Sequence, residues 1–142
     1  MPFFNPDTEQ IRLLLNTVRS VAIVGLSPNS ARPSFQVARG LQSLGYRITP
    51  VRPLIDEILG EKAFPDLDSL PKLPDMVDVF RAPEHVPAIV DSCIRLGIKY
   101  LWLQEGVIHE AAALRAQQAG IIVVMNRCLW RDARQLKDAL HD

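Results

Sequence analysis

Apolar residues arrive in two rhythms along this chain. Continuous runs rich in Val, Ile and Leu at 20–25, 46–51, 76–80, 100–103 and 121–125 read as strands buried on both faces, because a half-solvated strand would alternate apolar with polar. Between them apolar residues recur at spacings of three and four, as in Ile11, Leu14, Leu15 and Val18, and again in Val37, Ala38, Leu41 and Leu44. That period marks helices with one buried face. Helices are predicted over 7–18, 33–44, 84–96, 109–119 and 131–140. Asp7 or Thr8 caps the first, Pro33 suits the first turn of the second, and Gly45, Gly97 and Gly120 stand where helices stop. The stretch 52–74 is rich in proline and reads as irregular, with a short helical turn near 66–70. Strand alternates with helix five times. The pattern predicts a single α/β domain over 1–142 with its core at about 10–130. Its architecture is a doubly wound, Rossmann-like, parallel five-stranded sheet with helices on both faces.

Composition narrows the function classes. The chain has 142 residues, 48% of them hydrophobic, with 16 Lys+Arg against 16 Asp+Glu and a net charge of zero. A nucleic-acid binder that neutralises phosphates would normally carry net positive charge, so no nucleic-acid partner is expected. No apolar run approaches the roughly 20 residues that span a bilayer, and the first ten residues lack the basic lead and apolar core of a secretory signal. Cys93 and Cys128 are far apart and form no CxxC, which reads as two reduced thiols in a cytoplasmic protein. The histidines His85, His109 and His141 read as exposed or helix-terminal imidazoles. No metal spacing, serine-nucleophile elbow or P-loop is present, so no catalytic or metal residue is expected.

Arginine changes this picture, because 12 of the 16 basic residues are Arg. In an open parallel sheet, ligands bind beyond the carboxyl ends of the strands. Four of the five predicted strand ends deliver an arginine there: Arg32, Arg52, Arg81 and Arg127. A neutral chain with a cationic edge suggests an anionic ligand. In the first loop Gly25 can turn tightly out of its strand ahead of a helix N-terminus, a ready anion site, with Ser27, Ser30 and Ser34 adding hydroxyls. The GxGxxG dinucleotide fingerprint is absent, and the end of the second strand carries Arg52 where an NAD site carries Asp or Glu. An arginine there suits a phosphorylated ribose, that of NADP or of coenzyme A. Cys93 reads as core, whereas Cys128, beside Arg127 and near a helix N-terminus, could form a mixed disulfide with a ligand thiol.

The segments VAIVGLSPNSARPSFQVARGLQSLGYRITPVRP, DEILGEKAFPDLDSLP, DMVDVFRAPEHVPAIV, LWLQEGVIHEAA and VVMNRC, in that order, resemble the small stand-alone CoA-binding proteins. Those are single domains similar to the N-terminal CoA-binding domain of the succinyl-CoA synthetase α subunit. The resemblance implies non-catalytic binding of coenzyme A or an acyl-CoA across the carboxyl edge. Gly25, Ser27, Pro28 and Arg32 would hold the pyrophosphate, Val51 and Arg52 the adenosine, with Arg52 at the 3′-phosphate, and Phe80 and Arg81 would flank the nucleotide. Gln104, Glu105 and Gly106 match a synthetase segment, and Asn126, Arg127 and Cys128 fall beside the pantetheine arm. The phosphorylated histidine of the synthetase belongs to a second domain with no counterpart in this sequence. A homodimer and a separate enzyme subunit are both left open as partners. The alternatives are an NADP-type sensor or oxidoreductase-like domain, and an interaction protein with an empty pocket.

Overall fold

The computed structural model describes residues 2–137. Helix α1 (Thr8–Thr17) is followed by β1 (Ser20–Val24), α2 (Pro33–Ser43) and β2 (Arg47–Val51). A small hairpin, β3 (Glu57–Ile58) and β4 (Glu61–Lys62), leads to a 3-10 turn at Leu67–Ser69 and then β5 (Met76–Val79). A second 3-10 turn, Pro83–His85, opens into α3 (Val86–Leu96), and β6 (Tyr100–Leu103), α4 (Glu110–Gln118), β7 (Ile122–Met125) and α5 (Leu129–Leu136) complete the order.

The five main strands form one parallel sheet in the order β2-β1-β5-β6-β7. Period-two alternation sends neighbouring residues to opposite faces. Ile23, Met76, Trp102 and Val124 meet Ile11, Leu15, Val37, Leu41 and Leu129, so α1, α2 and α5 cover one face. Ala22, Val77, Leu101 and Val123 meet Val86, Val90, Cys93, Ala113 and Ala116, so α3 and α4 cover the other. Full burial of each such aliphatic side chain is worth about 1.5–3 kcal/mol. Continuous apolar strands are thus the direct consequence of a sheet with two dry faces. Pro50 is tolerated within β2 because β2 is an edge strand.

Local chemistry accounts for the boundaries. Asp7 and Gln10 form a reciprocal capping box at the start of α1, and Gly97 closes α3 with φ of 77°. The expected turn at 66–70 is the 3-10 turn Leu67–Ser69, capped by the Asp66 side chain. Two details differ from the expectation. Residues 57–62 form a hairpin whose central Leu59 and Gly60 both have positive φ, of 55° and 78°, the twist a two-residue turn between strands requires. The terminal helix begins at Leu129, two residues before the expected start, because Cys128 occupies the N-cap with no side-chain cap bond to announce it. The expected extension of that helix over 138–140, and His141, lie outside the described residues.

Candidate functional site

Strand order reverses at β1: β2 lies on one side and β5 on the other. In this architecture the crevice opens at that switch point. A cavity of about 660 Å³ is found there, at the carboxyl ends of β1, β2 and β5. Its floor is apolar, with Val24, Val51, Leu67, Phe80 and Ile89. Its rim is polar, with Arg52, Asp66, Arg81, His85 and Ser92. Among the described residues no cluster of three or more His, Cys, Asp or Glu could hold a metal.

Gly25 sits where the chain leaves β1. Its N–H donates to the Val51 carbonyl at 2.9 Å, and its φ is 87°. A Cβ there would stand 3.0 Å from the Phe80 carbonyl oxygen and 3.2 Å from Arg81 Cδ. A side chain is therefore excluded both by the left-handed backbone and by the neighbouring strand end. The loop beyond is tied to α2, since Ser27 N–H donates to the buried Ser34 hydroxyl at 2.9 Å. Asn29 N–H in turn donates to the Ser27 hydroxyl at 3.1 Å. Arg32 is the N-cap of α2, with Pro33 in the first turn and no side chain capping the helix. An uncapped helix N-terminus beside a glycine turn offers backbone N–H groups to an anion.

The structure divides the predicted site residues into three groups. Gly25, Val51, Arg52, Phe80 and Arg81 line the cavity together. Ser27, Pro28 and Arg32 stand on the first loop, outside the lining, with Pro28 and Arg32 exposed. Gln104, Gly106, Asn126, Arg127 and Cys128 lie farther along the same edge, at the ends of β6 and β7, and several are bonded to one another's segments. Leu129 N–H donates to Gln104 Oε1 at 3.1 Å, and Gly106 N–H donates to Asn126 Oδ1 at 2.8 Å. Trp102 Nε1 donates to the Arg127 carbonyl at 2.8 Å. The first and third of these bonds fasten the start of α5 to the end of β6, and the second ties the turn after β6 to the end of β7. Asn126 has φ of 63°, a conformation Asn tolerates better than most residues.

The four strand-end arginines are unequal. Arg52 Nη1 donates to the Leu26 carbonyl at 3.4 Å, and Arg81 Nη2 lies 3.1 Å from His85 Nε2; both line the cavity. Arg32 is exposed on the loop. Arg127 is held by Asp132, whose hydrogen bond raises the guanidinium above its ordinary value. Cys128 is buried at the N-cap of α5. Burial pushes the Cys93 thiol up to about 12, in keeping with a core role.

Sequence reasoning missed Asp66, Leu67, His85, Ile89 and Ser92 as lining residues. One signal was available: His85 follows Arg81 by four residues across Pro83, a helix-opening position. The others reach the cavity only because α3 and the β4–β5 connection pack over the sheet.

Three comparisons bear on this geometry. The family described as CoA binding domain matches residues 19–133. The uncharacterized protein YneT of Bacillus subtilis is 34% identical over 125 residues, 88% of this chain and 93% of YneT. The ADP-forming acetate–CoA ligase II of Archaeoglobus fulgidus is 32% identical over 83 residues, which are 57% of this chain and 12% of the ligase. Among solved structures, a hypothetical protein from Pyrococcus horikoshii superposes with a TM-score of 0.89 at 33% identity, covering 96% of each chain.

Proposed function

The chain belongs to the CoA-binding domain family, and from that premise we propose that it binds coenzyme A or an acyl-CoA at the carboxyl edge of the sheet without carrying out chemistry on it. The observation that carries this reading is the cavity at the β1/β5 switch point, with an apolar floor between Arg52 and Arg81. A flat base and an anion need those two surfaces side by side. The residues present fit the ligand. Gly25 lets the end of β5 pack closely on the first loop, where a Cβ would meet Phe80 and Arg81, and Val51 and Phe80 supply apolar contact for the adenine. Arg52 is assigned to the 3′-phosphate. Arg81, the Ser27–Pro28 turn and Arg32 are assigned to the pyrophosphate. The second cluster, Gln104, Gly106, Asn126 and Cys128, is assigned to the pantetheine arm, while Arg127, expected there from the sequence, is taken up by its pair with Asp132. The match to the ligase spans only 12% of that enzyme. A separate enzyme subunit that acts on the thioester is the partner this likeness to one part of a ligase supports.

Arg52 at the end of β2 also suits the phosphorylated ribose of NADP, the second reading. Native mass spectrometry of the protein mixed with CoA, 3′-dephospho-CoA and NADP separates the two. A complex with CoA that exceeds the complexes with dephospho-CoA and NADP is expected. A complex with NADP alone would reverse the assignment.

A further inference from the structure

Arg81 leaves the carboxyl end of β5, and His85 ends the 3-10 turn Pro83–His85 that opens into α3. Four residues apart, their side chains meet at the cavity rim, with Arg81 Nη2 3.1 Å from His85 Nε2. A guanidinium only donates. Nε2 must therefore supply a lone pair, which makes the ring neutral with its proton on Nδ1. An imidazolium donates from both nitrogens and has nothing to offer Arg81. The observed bond and a protonated His85 exclude each other.

The charged groups around this pair are few: on its own 3-10 turn Glu84 stands exposed beside His85, bonded to neither. From the end of β2 comes Arg52, and from the segment before β5 comes Asp66; one Asp66 carboxylate oxygen already accepts from Ser69 N–H at 2.9 Å. The α3 residues that line the cavity, Ala88, Ile89 and Ser92, carry no charge. The next charges on α3 are engaged elsewhere, Asp91 with Arg115 and Arg95 with Asp68. No carboxylate among the described residues is bonded to Arg81 or His85. An anion entering the cavity is thus the natural counter-charge for both.

We propose that anion binding in this cavity is linked to protonation of His85. In the free protein the neutral ring accepts from Arg81 and restrains it. When a phosphate takes over as acceptor, His85 gains a proton from solvent, and the Arg–His pair becomes two cations on one anion. The proposal rests on the reading of the cavity as a phosphate-bearing ligand site. Linkage is reciprocal: an anion that favours the proton is favoured by it to the same degree. Affinity therefore rises as pH falls through the range of about 5 to 8 in which histidine changes charge. A phosphate monoester takes up its own second proton near pH 6, so the ligand's titration must be separated from the protein's.

The His85→Gln variant does this, because its amide oxygen can still accept from Arg81 but does not titrate. Calorimetric titration of both proteins with CoA at about pH 8 and about pH 6 gives the ratio of their dissociation constants at each pH. The wild type is expected to gain on the variant by about five- to tenfold at the lower pH. Binding should take up protons in the wild type beyond the uptake of the variant. A ratio that does not change with pH, or equal proton uptake, overturns the proposal. If CoA binds neither protein at any pH, the functional reading fails, and inorganic pyrophosphate becomes the probe. The same pH-dependent ratio then upholds the linkage; a constant ratio, or no binding, overturns it. Side-chain nitrogen NMR of the free protein gives an independent reading: the Nδ1–H tautomer of His85 is expected, and the Nε2–H tautomer overturns the proposal.

Discussion

Arg127 donates from Nε and Nη2 to the two carboxylate oxygens of Asp132, at 2.6 and 3.0 Å. Asp132 is nearly buried, with 5% of its side chain exposed, whereas 43% of Arg127 is exposed. The pair clamps the start of α5 to the end of β7. Removal of the guanidinium leaves a buried carboxylate unpaired, at a cost of about 1–3 kcal/mol. Arg127→Ala is therefore expected to lower the urea midpoint. Arg81→Ala, with its side chain on the cavity rim, is expected to weaken CoA binding by about 1.5–3 kcal/mol and to leave the midpoint nearly unchanged. Denaturation curves and CoA titrations on both variants check the division. A swap of the two effects would show that the wrong arginine has been assigned to the fold.

Gly25 and Gly60 offer a matched comparison. Both have left-handed backbones, with φ of 87° and 78°. A Cβ on Gly25 meets Phe80 and Arg81, whereas a Cβ on Gly60 meets nothing within 4 Å. Gly60→Ala should lose only the strain of that conformation, about 1–2 kcal/mol, and keep its CoA affinity. Gly25→Ala should lose more stability and also bind CoA less tightly, because the strand end must shift. Equal behaviour of the two variants would remove Gly25 from the site.

Asp78 occupies the middle of β5, fully buried, in register with Ile23 and Trp102. Neither carboxylate oxygen has a hydrogen-bond partner among the described residues. Burial pushes the carboxyl well above its ordinary value of 3.8, and the neighbouring Val79 N–H opposes that shift without completing a hydrogen bond. The folded state thus holds a proton that the unfolded chain has released. The contribution to stability is full below the unfolded value and is lost as pH rises from there toward the raised folded value. Asp78→Asn carries no such proton. The variant should gain on the wild type by up to about 1.4 kcal/mol per pH unit across that window, measured by urea unfolding from acid to neutral pH. A difference that is constant with pH would contradict the buried neutral acid.

The five strands were legible because a doubly covered sheet leaves them mostly apolar, Asp78 being the exception in β5, and because Gly45, Gly97 and Gly120, all with positive φ, end the helices between them. The hairpin at 57–62 was not legible, since its turn is Leu59–Gly60 in place of the Asn-Gly or Asp-Gly that usually marks one. The strand-end half of the cavity, Gly25, Val51, Arg52, Phe80 and Arg81, followed from topology. The half supplied by Asp66, His85 and Ser92 depends on how α3 and a proline-rich connection pack, which no local pattern encodes. Arg127 was grouped with the other strand-end arginines because it follows the fifth strand, and its pair with Asp132, at the start of α5, leaves no local mark in the sequence.

The central claim is that the cavity between Arg52 and Arg81 holds coenzyme A. A thermal melt of the wild-type protein with increasing CoA tests it most directly. The account predicts a rising melting temperature, equivalent to about 2.7 kcal/mol when CoA reaches 100 times its dissociation constant, and a smaller rise with 3′-dephospho-CoA. A melting temperature unmoved by CoA, with or without a response to NADP, would contradict it.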